Sequence, residues 1–121
     1  MPKFVNDLVM DAALDVIATA TIMTACSSQP TNRTEAVTTY ALADVTLAGG
    51  DFTKANGDSS GRKITTAQKS NVTIDTSGTA NYIAQCDGTN LLLVTTCTSQ
   101  SLTEGGTVTF PAFKNEIADP V

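Results

Sequence analysis

The stretch Thr79–Thr98, "TANYIAQCDGTNLLLVTTCT", decides the fold class of this chain. From Thr79 to Cys86 the residues alternate, with Ala80, Tyr82, Ala84 and Cys86 on one face and Thr79, Asn81, Ile83 and Gln85 on the other. A period of two is the period of a β-strand. Asp87-Gly88 is short-hairpin punctuation, and a second strand returns over 90–98. Leu91, Leu92, Leu93 and Val94 are apolar at consecutive positions, which predicts a central strand covered on both faces. A two-residue turn would set Cys86 opposite Thr89 and Cys97 opposite Gly78, too far apart for a disulfide across the hairpin.

The same pattern extends outward in both directions. Strand-like runs at 62–69 and 72–76 come before it, separated by Ser70-Asn71 and Ser77-Gly78. After it, Gly105-Gly106 marks a turn and a last strand begins at Thr107, with Val108 and Phe110 facing one way. Pro111 cannot donate to a ladder and belongs at an edge or bend. Phe113 and Ile117 then continue an extended C-terminal arm. Upstream, Thr19–Ser27 is rich in β-branched residues, "SSQPTNRTEA" is a loop, and "TTYALADVTL" reads as a short helical turn followed by an extended stretch. Residues 48–61, rich in glycine and aspartate, read as an irregular loop. Threonine makes up roughly a sixth of the chain, which suits pleated, half-solvated surfaces. At 121 residues and 41% hydrophobic, residues 1–121 form a single domain large enough for its own core. The expected architecture is mainly β: a jelly-roll-like two-sheet sandwich over 19–118 with one N-terminal α-helix over 5–18.

That helix has an unusual surface. At 100° per residue Asp7, Asp11 and Asp15 share one narrow stripe, and apolar residues from Val5 to Ile17 sweep more than half the circumference. Asn6 is placed to cap its start, and Asp7 suits the positive end of the helix dipole. An apolar arc of this width exceeds what a small domain covers, so Val9, Val16 and Ile17 are candidates for an interface with a neighbouring subunit. "ATIMTAC", ending at Cys26, superficially resembles an export cleavage site. The three aspartates interrupt any apolar leader or bilayer span, so the segment reads as mature protein with no membrane partner.

The composition argues against several chemistries. A net charge of −5, a pI near 4.3 and scattered basic residues leave no patch to displace counterions from nucleic acid. Without histidine, neither a Ser-His-Asp nor a Cys-His arrangement can form. Cys26, Cys86 and Cys97 include no CxxC pair and read as free, structural thiols rather than metal ligands. Ser60 and Lys63 could form a dyad, and Asp44, Asp51 and Asp58 could supply carboxylates for calcium. "DFTKANGD" departs from calcium-loop spacing, however, because Ala55 stands where an oxygen ligand is needed. The expectation is no catalytic residue, no metal, no cofactor and no enzymatic activity.

The segments "CSSQPTNRTEAVTTYALADVTL", "GDSSGRKITTA", "IDTSGTANYIAQCD" and "LLLVTTCTSQSLTEGGTVTFPAF", with the helix "AALDVIATA" and the terminal "EIADP", carry a resemblance. Together they resemble small virion structural proteins of tailed bacteriophages, of the capsid cement or decoration type. The resemblance implies a subunit made in the host cytoplasm that sits on the capsid exterior as a homo-oligomer and binds the major capsid protein. Under that reading Asp51 and Phe52, in the 48–61 loop, and Phe113 and Ile117, in the C-terminal arm, are candidate capsid contacts. The alternative is a tail-associated or head-fibre module that recognises a host surface through the 48–61 loop.

Overall fold

The computed structural model describes residues 5–118. It is mainly β, with one α-helix and antiparallel sheets in a sandwich-like arrangement, as the sequence predicts. The helix α1 spans Asp7–Ile17. The strands are β1 (Ile22–Cys26), β2 (Ala41–Thr46), β3 (Phe52–Asn56), β4 (Arg62–Thr66) and β5 (Lys69–Thr73), then β6 (Gly78–Cys86), β7 (Leu91–Leu102), β8 (Thr107–Phe110) and β9 (Phe113–Ile117). They form a four-stranded sheet β2-β1-β6-β7, a three-stranded sheet β3-β4-β9 and a two-stranded sheet β5-β8. The strand order establishes a sandwich without assigning jelly-roll connectivity.

The large sheet is buried on both faces at its centre. On one face Met23, Ala25, Ala43, Ile83 and Leu102 pack against Val72 and Phe110 from the small sheet and Ile74 just after β5, with Phe52 and Phe113 of the three-stranded sheet at the margin. On the other face Cys26, Ala84 and Cys86 are covered by Ala36, with Val37 and Tyr40 beside it. Those covering residues come from the helical turn Glu35–Thr39 and the residue after it. Thr24, Thr66 and Gln85 are the buried polar residues. Gln85 Nε2 donates to Thr66 Oγ1 at 3.1 Å, joining the four-stranded sheet to the three-stranded one. A buried amide is costly unless bonded, so this contact also fixes how the layers meet.

Several local expectations change. Leu91–Val94 lies on the outer strand of its sheet, and β1 and β6 are the central pair. These four residues are apolar on both faces because each face of this edge strand is half-covered. The loop expected over 48–61 contains β3, which pairs with β4 from Phe52↔Thr66 to Asn56↔Arg62. Its irregular parts are a single helical turn at Gly49–Asp51 and a tight turn at 57–61. The expected C-terminal arm is β9, paired with β4 from Thr66↔Phe113 to Arg62↔Ile117. Backbone pairing outcompetes polar composition in both cases, because a sheet edge satisfies amide groups that a loop would leave to water.

Ser70-Asn71 is a bulge inside β5, with Asn71 at φ 57°, rather than a hairpin turn. The 87–90 connection is longer than two residues, so Cys86 faces Leu91 and Gly78 faces Leu102. Cys97 falls in a bulge of β7, between the pairs Tyr82↔Thr96 and Ala80↔Gln100. All three thiols are free.

Candidate functional site

The helix is built from its ends inward. Asn6 has extended backbone, and its Oδ1 accepts the Leu8 amide at 2.8 Å, which satisfies one of the donors a helix start leaves open. One side of α1 is anchored by Met10 and Leu14, 2% and 1% exposed, and the helix packs on β4 and touches β7. The acidic stripe is also engaged within the chain. Asp11 accepts Arg62 Nε at 2.8 Å, and Asp15 accepts Lys54 Nζ at 2.6 Å. The Asp11 carboxylate raises the Arg62 pKa, as a hydrogen-bonded counter-charge does.

The rest of the helix faces outward and is apolar. Leu8, Val9 and Val16 are 76%, 62% and 55% exposed, and Ala12 and Ala13 between them are exposed as well. The usual amphipathic arrangement is thus divided differently: charged residues turn toward cations on β3 and β4, and a stripe of leucine, valine and alanine turns toward water. Single exposed apolar side chains are ordinary, but a contiguous face of them marks a contact surface. Of the candidate interface residues, Val9 and Val16 lie on this face, and Ile17 is half-buried at its border.

The four candidate capsid contacts are placed otherwise than on a free loop and arm. Phe52 and Phe113 sit on β3 and β9, flank Thr66 from either side and pack against the main core. Ile117 lies on β9 opposite Arg62 and is half-buried. Asp51 is held by Lys69 Nζ at 2.8 Å and accepts the Ala48 amide, and the lysine contact is the larger cause of its lowered pKa. Phe113 still borders a shallow open hollow with Thr65, Ala112 and Lys114. Phe52 and Phe113 therefore help to hold the sheets together, and Ile117 lies at the far end of β9 from Phe113.

The groups considered for chemistry are also separate. Asp58 binds both Lys63 and Lys114, so its carboxylate ties the 57–61 turn to β4 and β9. Asp44 lies beside Asp75, and burial first and that neighbouring carboxylate second raise its pKa. Burial raises the pKa of Cys26, Cys86 and Cys97 alike, keeping them as thiols at neutral pH. Among the described residues no three His, Cys, Asp or Glu side chains gather as metal ligands. No helix among them is long and apolar enough to cross a membrane.

Two hollows flank β7. An apolar one of about 160 Å³ is lined by Ala25, Ile83, Cys97, Val108, Phe110 and Pro111. The other, open and about 530 Å³, is lined by the hydroxyls and amides of Ser27, Gln29, Asn81, Thr96 and Ser99 with the ring of Tyr82. The sequence gives little sign of this second cleft, since its residues come from the 27–29 loop and from two strands. No family model matches the chain, and no curated protein or solved structure matches it.

Proposed function

We propose that the protein is a virion structural protein of the capsid cement type. It binds the outside of an assembled phage head, with the major capsid protein as partner, as a homo-oligomer, and it stabilises the shell. The carrying observation is the outward face of α1, where Leu8, Val9, Ala12, Ala13 and Val16 lie exposed while Asp11 and Asp15 are bonded within the chain. Such a surface suits burial against protein rather than turnover of a substrate. The sequence resemblance to phage head proteins points the same way. A subunit that binds the assembled shell and not its separated parts stabilises the shell by mass action. Many copies on a lattice do this through individually weak contacts.

The test compares capsids with and without the protein. Stripped capsids should open at lower temperature and milder osmotic stress, and adding the protein back should restore them. Equal robustness of the two preparations refutes the reading.

A second reading, recognition of a host surface, draws on the cleft around Tyr82. Hydroxyls, amides and one aromatic ring without a charged group are the chemistry that binds a neutral sugar. From sequence that role falls to the 48–61 segment, of which Phe52–Asn56 forms β3. Loss of adsorption to cells with no loss of capsid stability would favour this reading over the first.

A further inference from the structure

The turn 57–61 joins β3 to β4, and the dipeptide Asn56-Gly57 that opens it is the one in this chain most prone to side-chain cyclisation. Of the seven asparagines, Asn56 alone is followed by glycine. An asparagine side-chain amide is open to attack by the backbone nitrogen of the next residue, and glycine there has no Cβ to obstruct the approach. The turn requires that glycine, because a Cβ at position 57 would collide with the Ser60 carbonyl oxygen. Asn56 itself is exposed, at the last pair of the β3–β4 ladder, opposite Arg62.

Both reacting groups are engaged. The Gly57 N–H donates to the Gly61 carbonyl at 2.9 Å, closing the turn. Asn56 Oδ1 accepts Arg62 Nη1 at 2.8 Å, and Arg62 Nε is held in its turn by Asp11 of α1. Asp58 pairs with Lys63 and Lys114, and its amide donates to Glu116, so the turn is tied to β4 and β9. We propose that Asn56 is a latent deamidation site and that the hydrogen-bonded turn 57–61 is the gate on it. While the turn is closed, the Gly57 nitrogen that must attack keeps its proton bonded to Gly61, and the side chain that must rotate is pinned to Arg62. Opening of the turn frees both, so the reaction proceeds from a minor open state. Arg62 also polarises the Asn56 carbonyl, but that assists attack only once the nitrogen is free.

In the open state base removes the Gly57 amide proton, and the nitrogen bonds to Asn56 Cγ. The Cγ–Nδ2 bond breaks, and ammonia leaves with a proton from solvent. Water opens the cyclic imide at either carbonyl, leaving aspartate or iso-aspartate. Water is consumed and ammonia released, with no change of oxidation state. Aspartate sets a second carboxylate on the guanidinium that Asp11 holds. Iso-aspartate lengthens the main chain by a carbon atom at the pair where Asn56 faces Arg62. Either product alters the strand pair to which α1 is joined through Asp11 and Asp15.

The full chain, folded and unfolded in guanidinium at the same mildly alkaline pH, tests this, with peptide mass mapping to locate the amide-to-acid change. Asn56 should convert at least about tenfold more slowly in the folded chain, because reaction waits on opening. Asp58→Ala removes both lysine ties of the turn and should narrow the gap between folded and unfolded rates about threefold. Taking the ratio of the two rates for each protein cancels any effect of the substitution on the intrinsic chemistry. In the parent protein, sub-denaturing guanidinium should speed Gly57 amide exchange and Asn56 conversion in parallel. Equal rates in folded and unfolded chains overturn the gate, and no conversion of Asn56 in the unfolded chain overturns the site. A Gly57 amide that exchanges freely beside an unreactive folded Asn56 also overturns the gate, as does an unchanged ratio in a folded Asp58→Ala protein.

Discussion

Single side chains in this protein record what their surroundings do to them, and the thiols are the clearest case. Cys26 and Cys86 are fully buried and Cys97 is partly exposed. Burial keeps all three protonated, so none is a strong nucleophile. Alkylation of the native protein should label Cys97 first and slowly, with Cys26 and Cys86 reacting only after unfolding. Mass measurement over time reads the order, and early labelling of Cys86 would contradict its burial. The carboxylates give opposite pH responses. Asp87 accepts the amides of Asn90 and Thr89 at 2.6 and 2.7 Å, which lowers its pKa. Its contribution is present above the unfolded value of about 3.9 and is lost as pH falls through the native value. Asp44 is raised by burial and by Asp75, so the native state holds its proton more tightly. Its contribution is present below about pH 3.9 and is lost as pH rises through the higher native value. Asp87→Asn should therefore weaken the protein at neutral pH and flatten its acid sensitivity. Asp44→Asn should strengthen it at neutral pH. Urea midpoints at pH 7 and pH 3 distinguish the two.

Elements differ in what holds them. The helix stays in place through two buried side chains, and Leu14→Ala should cost about 2–5 kcal/mol of stability, read in urea. Leu8→Ser or Val9→Ser, on the outward face, should change stability by only about 0.5 kcal/mol while weakening association. Ile17→Asp acts on both, because this residue is half-buried. The turn between β3 and β4, where β9 ends, depends on glycine at both 57 and 61. Gly61 has φ +71°, and a Cβ there would collide with the Ile117 carbonyl oxygen. Gly61→Ala should lower stability by roughly 1–3 kcal/mol from backbone strain alone, with the clash added to it. Loss of protection in β9 ahead of the other strands is the expected exchange signature.

At the scale of the molecule, an uncharged surface, the outer face of α1, lies exposed on an acidic protein. Under the capsid-cement reading proposed above, this arrangement leaves long-range repulsion to keep copies apart and confines contact to one flank. Raising salt screens that repulsion over about 8–10 Å, so association should tighten between low and physiological ionic strength. Sedimentation at two salt concentrations measures this. Association that weakens with salt would mean that ion pairs, rather than apolar contact, hold the copies together.

Period-two alternation at 79–86, turn dipeptides and the threonine excess were enough to make the chain mainly β, and Asn6 with its following aspartates was enough to start a helix. Both features are local: each depends on neighbours within a few residues, which the sequence carries directly. The excess width of the helix's apolar arc was legible too, with Val9 and Val16 on the exposed face. What the sequence left open was partnership. Phe52–Asn56 lies among glycines and aspartates and reads as loop, yet β4 draws it into a sheet. Leu91–Val94 reads as a central strand, yet it forms an edge, because apolar residues on both faces say that a strand is covered without saying by what. Asp7, Asp11 and Asp15 read as one narrow stripe, and the sequence does not say that Asp11 and Asp15 find Arg62 and Lys54 on strands far along the chain. The cleft around Tyr82 joins a loop to two strands and exists only once they are packed. Hydrogen bonds between strands and ion pairs between elements join residues that sequence distance does not relate, so only the tertiary structure could decide which edges, faces and charges were left for a partner.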